Sequence, residues 1–227
     1  MTITEGLQNQ LEERTARAMS PAMRDARRVL EEQMQRAKLD GQRLAELPLD
    51  VWDDILTAFS AILEEQLANA YIEAARELTD TLNYPVDTFL LDEAARGWAN
   101  VYAYDLGQSL NQTSREQLTG ILQEFFDTSM TNQQLSERLA SVYGTHRTQM
   151  IAVTEVTRAA AEGQAWVARQ LGAVGVNMIP IWETRADDIV CTTCGPRHNQ
   201  AQGTNWFNLP PAHSGCRCGV RYQYLTP

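Results

Sequence analysis

All four cysteines of this chain fall within residues 191–218, as Cys191-Thr-Thr-Cys194 and Cys216-Arg-Cys218, and His213 stands three residues before the second pair. Thiols gathered in one short stretch of an otherwise cysteine-free chain oblige that stretch to fold back on itself, to share a metal ion or to crosslink. Two thiolates at i and i+3 lie about one turn apart, within reach of a tetrahedral ion with Zn–S bonds of about 2.3 Å. A second pair after a loop fills the remaining positions. Cys191 and Cys194 make the first pair, and two of His213, Cys216 and Cys218 make the second. If residues 216–218 are extended, i and i+2 share a face, so both cysteines reach the metal, Arg217 points away and His213 anchors the loop. Alternatively His213 and one cysteine close the site, and the other thiol packs as a small apolar side chain. Both sets stay open at this stage, and His198, in the loop between the pairs, is a weaker candidate.

The opening segment MTITEGLQNQLEER has neither a basic stretch nor an apolar core of the secretory kind, and no run approaches the roughly 18 apolar residues of a membrane span. A cytosolic chain keeps its thiols reduced, which favours metal binding over a pair of disulfides. A closed structural zinc is expected rather than a catalytic one. There is no H-E-x-x-H, and Val190 stands where a zinc deaminase carries proline. Nothing else points to an enzyme or to a small-molecule substrate. Glu155 and Arg158 are i, i+3 neighbours that read as an ion pair beside Thr154, and no nucleophile with an oriented base accompanies them. Asp187 and Asp188 read as turn formers ahead of the cysteine pair.

The formal net charge of −10 is unevenly placed: residues 44–175 carry nineteen acidic against seven basic groups, and residues 176–227 carry three against four. An acidic body repels phosphate backbones, so partners are expected to be proteins. Trp182, Trp206 and Phe207 are expected to fill the core of a small module rather than to stack on bases.

Residues 5 to about 175 read as helix almost throughout. Leu7, Leu11, Ala16, Met19, Met23, Leu30, Met34 and Leu44 form a sparse stripe suited to an extended or partner-seeking helix, with Ser20 capping a restart at Pro21. Asp50 caps a strongly amphipathic helix through Val51, Ile55, Phe59, Leu63, Leu67, Tyr71 and Leu78. After Asn83-Tyr84-Pro85 a third helix runs from about Asp87 to Leu110. Ser114-x-x-Gln117 and Thr131-x-x-Gln134 read as capping boxes opening two shorter helices, and the last helix spans about His146 to Leu171 with Gly172 as its stop. Beyond Gly175 the composition turns β-like, in a strand over 176–184 that Pro180 confines to an edge or bulge and a closing strand near 216–224. The expected fold is therefore mainly α, an elongated multi-helix body with a small C-terminal zinc-stapled β module, α+β overall. Its parts are an N-terminal extended helical segment (1–45), a helical body (46–144) and a module of long helix plus zinc knuckle (145–227, the knuckle at 176–227).

The string Trp182-Glu-Thr184-Arg-Ala-Asp187-Asp188-Ile-Val190-Cys191-Thr-Thr-Cys194, followed by Pro210-Pro211-Ala-His213-Ser-Gly-Cys216-Arg-Cys218, resembles the Mu F-like head morphogenesis family of tailed phages. That family's pattern is W-x-T-x-x-D-D-x-V-C-x-x-C, then P-P-x-H-P-x-C-R-C. A second match runs from Arg147 through Ile151-Ala152-Val153-Thr154-Glu155 to Arg158-Ala159 and is similar to the family's "IARTE-x-x-RA" helix. Ser214, Val153 and Ala161 depart from the family pattern, and none is a candidate ligand. The resemblance implies a minor head protein that acts with the portal, capsid and scaffold proteins during procapsid assembly in the host cytoplasm. In some relatives it is carried in the virion head and influences the packaging or exit of DNA. From the residues alone, the alternative is a nucleic-acid-binding zinc ribbon using Arg185, Arg197, Arg217 and Arg221.

Overall fold

A computed structural model describes residues 3–41, 49–128, 130–185 and 190–225. Among them are five α-helices, α1 (Glu5–Leu39), α2 (Leu49–Leu82), α3 (Thr88–Asp127), α4 (Asn132–Tyr143) and α5 (Thr145–Ala173), followed by strands β1 (Met178–Glu183) and β2 (Gly219–Tyr224). The chain is mainly helical with a small antiparallel C-terminal sheet, as its periodicity indicates. Among the described residues no helix is long and apolar enough to cross a membrane.

Two expected helix breaks are absent. α1 does not restart at Pro21 but runs through it. Proline there forfeits one backbone bond, a cost of about 3 kcal/mol in a helix interior. The Ser20 hydroxyl turns back to the Ala16 carbonyl at 2.7 Å instead of capping a new start. Met19 and Met23, on either side of the proline, are buried together with Leu11, Leu30 and Met34. The stripe that looked suited to a partner is thus occupied within the chain, and its packing holds the helix through the break. Likewise α3 runs past Leu110, because Ser114 donates to the Leu110 carbonyl at 2.7 Å and Leu118, Leu122 and Phe125 continue the buried face.

Other ends follow the local chemistry. Asp87 caps α3 by accepting the N–H groups of Phe89 and Leu90 at 2.9 and 3.2 Å. Thr131 and Gln134 form the reciprocal capping box of α4. Asp50 lies inside the first turn of α2 rather than ahead of it, where a carboxylate still complements the helix dipole. α5 outruns Gly172 by one residue. Its stop is Gly175 at φ +90°, with Val176 N–H bonded to the Leu171 carbonyl and Gly175 N–H to that of Gly172.

The chain forms two compact units, each assembled from separate segments, so neither coincides with a block of sequence. The first comprises residues 1–15, 65–99 and 150–227, and the second residues 16–64 and 100–149. In the second, Lys38, the single lysine, donates to the carbonyls of Phe125 and Met130 and lies 4.1 Å above the Phe125 ring, where it satisfies the C-terminal end of α3. In the first, β1 and β2 pair from Met178↔Tyr224 to Glu183↔Gly219. Trp182, Val220 and Tyr222 enter a core with Tyr71, Ile72 and Leu78 of α2, Leu91 of α3, and Val167 and Leu171 of α5. The described residues of the β module share their core with the helices.

Candidate metal centre

Cys194, Cys216 and Cys218 are buried in the same core, and Cys191 lies at its edge. The first pair sits on a tight turn in which the N–H groups of Cys194 and Gly195 reach the Cys191 carbonyl at 3.2 and 2.9 Å, leading into a single 3-10 turn at Gly195–Arg197. The Cys194 N–H also points at Cys191 Sγ, 3.4 Å away. That backbone donor, aided by the Thr193 N–H and by His213, draws the Cys191 thiol down to about 7.

His213 reaches the same place. Its Nε2 lies 3.1 Å from Cys191 Sγ and 3.4 Å from Cys194 Sγ, while Nδ1 is 2.8 Å from the Ser214 carbonyl oxygen. A carbonyl can only accept, so Nδ1 carries a proton, and in the neutral imidazole it is the Nε2 lone pair that faces the sulfurs. Metal-binding imidazoles are oriented by the same kind of bond. Cys194 Sγ is 3.8 Å from Cys216 Sγ. Donor atoms of Cys191, Cys194 and His213 all lie within 4.8 Å of one another, and so do those of Cys194, Cys216 and Cys218. Cys194 belongs to both trios.

These separations suit a shared cation. Tetrahedral bonds of about 2.3 Å to sulfur and 2.0–2.1 Å to nitrogen set S···S at about 3.8 Å and S···N at about 3.6 Å. A disulfide needs about 2.05 Å, and all four thiols are free. The electrostatics agree. Cys216 is held well below the ordinary thiol range, first by the hydrogen bond from Cys218, whereas burial lifts Cys194 and the Cys216 thiolate lifts Cys218. So many buried thiols cannot ionise together without positive charge among them. A divalent cation supplies that charge, and its loading releases protons.

The surrounding side chains fasten the two halves of the cluster to helices. The Thr154 hydroxyl on α5 donates to the Met150 carbonyl at 2.6 Å and accepts the Gly215 N–H at 2.8 Å, tying the segment between His213 and Cys216 to the helix. Gly215 sits at φ +74°, and a Cβ there would come within 2.8 Å of Met150 Cε. Arg217 turns away from the cysteines on either side of it to pair with the buried Glu12 of α1. Arg185 bonds Glu5 at 3.0 Å and Gln8 at 2.7 Å on the same helix. Glu155 is buried rather than exposed, and Arg158 Nε reaches it at 3.2 Å.

His198 is engaged elsewhere, with Nδ1 accepting the Thr184 N–H at 3.2 Å and lying 3.0 Å from its hydroxyl. Trp182 and Trp206 are buried edge to face with centroids 5.2 Å apart, Arg197 lies over the Trp182 ring, and the Trp206 indole N–H donates to the Gln200 carbonyl. Phe207 departs from the expected packing, being 72 % exposed. Asp187 and Asp188 lie outside the described residues. Sequence reasoning missed Gln8 and Glu12. The available signal was polar residues at helical spacing on the buried stripe of Leu11, Thr15 and Met19. No family model matches the chain, and no curated protein or solved structure matches it.

Proposed function

We propose that this chain is a minor head protein of the Mu F-like kind, which docks on portal and capsid proteins during procapsid assembly, with a structural zinc held by four of Cys191, Cys194, His213, Cys216 and Cys218. The observation that carries the reading is the bond between Thr154 and Gly215. The two separate stretches that resemble the family, the helix around Thr154-Glu155 and the Cys/His segment, are one physical unit in which the helix hydroxyl positions the ligand loop. Zinc in that unit crosslinks the loop and performs no chemistry, because the polar groups around it serve to fasten segments together. Thr154, Arg217 and Arg185 are all spent on such contacts.

The zinc-ribbon alternative has less to stand on. Arg185 and Arg217 are paired with glutamates, Arg197 covers a buried tryptophan, and of the three aromatics only Phe207 is open to a base. The test is a metal analysis of the purified chain with a pull-down against the portal and capsid proteins encoded beside it. Near-stoichiometric zinc and co-purification with portal or procapsid particles are expected. Folded, metal-free protein removes the zinc, and absence from both portal and particles removes the assembly role.

A further inference from the structure

Away from the cysteines, the first unit contains an open cleft of about 390 Å³ beside the first turn of α1, lined by α2, α5 and both strands. Its charged lining is Glu5, Glu77 and Glu183 against a single cation, Arg221. Glu5 accepts one bond from Arg185 and Glu77 one from the Thr4 N–H, which leaves each carboxylate with acceptor capacity. Glu183 and Arg221 line the cleft without an ion pair of their own among the described residues.

A second observation comes from the opposite wall. Gln164 of α5 is 2 % exposed, lines the same cleft, and has no side-chain hydrogen bond among the described residues. Neither amide atom is sealed away from the cleft, so the side chain offers its carbonyl oxygen and its N–H donors to a group that enters there. The carboxylates are too dispersed to share one ion, since the described groups close enough for that are those of the cysteine cluster. Dispersed acceptors suit a ligand whose donors are fanned over a plane. Guanidinium presents five N–H donors in a rigid fork and is weakly hydrated enough to enter a half-buried site. Leu78 in the wall offers apolar surface to the methylene stem of such a side chain.

We infer that this cleft receives a single arginine side chain presented by an exposed segment of a protein partner, with Glu77 and Glu183 accepting from the guanidinium and Gln164 completing its bonds. The inference rests on the cleft alone and stands apart from the metal and head-assembly readings. The test titrates the peptide Ac-Gly-Arg-Gly-NH2 into the isotope-labelled full chain and follows the amide resonances of Gln164, Glu77, Glu183 and Arg221 by NMR. Saturable shifts at these positions are expected, weakened by salt and missing for the same peptide carrying citrulline. Glu183→Gln, which keeps shape and removes charge, should weaken binding about fivefold or more, and Glu77→Gln should act likewise. The labelled spectrum of each variant reports whether it is folded. An equal response to citrulline, no saturable shift, displacement of the peptide by magnesium, or undiminished binding to both folded variants would each overturn the inference.

Discussion

Replacing Thr154 by valine tests the link between helix α5 and the ligand loop. Valine keeps the shape and removes a hydroxyl that is buried, donates to Met150 and accepts the Gly215 N–H at 2.8 Å. The Met150 carbonyl loses little, because it remains in the helix ladder. The Gly215 N–H loses its protein acceptor in a half-buried contact, which costs about 1–2 kcal/mol. For a chain of this length about 2 kcal/mol corresponds to a fall of ~4–8 °C in the midpoint of thermal unfolding. Thr154→Ser is the matched control, since it restores the hydroxyl and removes only a methyl group. The assay is thermal unfolding of both variants with metal present, alongside the rate at which a colorimetric chelator withdraws metal from the folded protein. The valine variant should melt lower and release metal faster, because Gly215 is flanked by the segment that carries His213 and Cys216. If Thr154→Val and Thr154→Ser behave alike in both measurements, the hydroxyl does not hold the loop and the reasoning fails.

Because Cys194 alone belongs to both trios, Cys194→Ser should abolish tight metal binding in a competition titration, whereas Cys218→Ser should leave measurable affinity; equal losses would contradict the shared position of Cys194. Gly163 lets α5 approach the backbone of α2 so closely that a Cβ would stand 2.2 Å from the Tyr71 carbonyl oxygen, so Gly163→Ala should cost about 1–3 kcal/mol in urea unfolding, against the gain that alanine normally brings to a helix interior. Glu12 has its carboxyl raised above the usual range, chiefly by burial and in spite of Arg217 and Arg185. A raised acid favours the folded state below its unfolded pKa and loses that contribution as pH rises through the folded value. The native chain should therefore lose stability relative to Glu12→Gln as pH rises above the ordinary glutamate value of about 4.3, and parallel profiles of unfolding midpoint against pH would refute this.

Much of the metal centre was legible in the residues. Cysteine and histidine have few uses in such a pattern, and Arg217 does turn from its cysteine neighbours, to Glu12. Whether His213 acts as an anchor or faces the sulfurs was not legible, because that depends on the imidazole's rotation, set by the Ser214 carbonyl. Helix existence was legible from periodicity, but the continuity of α1 and α3 was not. Ser20-Pro21 and Ser114-x-x-Gln117 carry local stop or start signals worth a few kcal/mol at most. Buried side chains on both sides of each, such as Met19 with Met23 and Leu118 with Leu122, outweigh them.

By itself the order of residues determined which stretches are helical, that the chain turns to strands after Gly175, and which five side chains compete for a cation. These depend on short-range physics: turn spacing, capping and the restricted chemistry of thiols and imidazole. Only the tertiary structure decided that the β module shares its core with α2, α3 and α5, that Glu12 and Gln8 of the first helix hold Arg217 and Arg185 of the last segment, and that Gln164 faces an acidic cleft. Those partners lie far apart along the chain, and periodicity tells which face of a helix is buried but not what buries it.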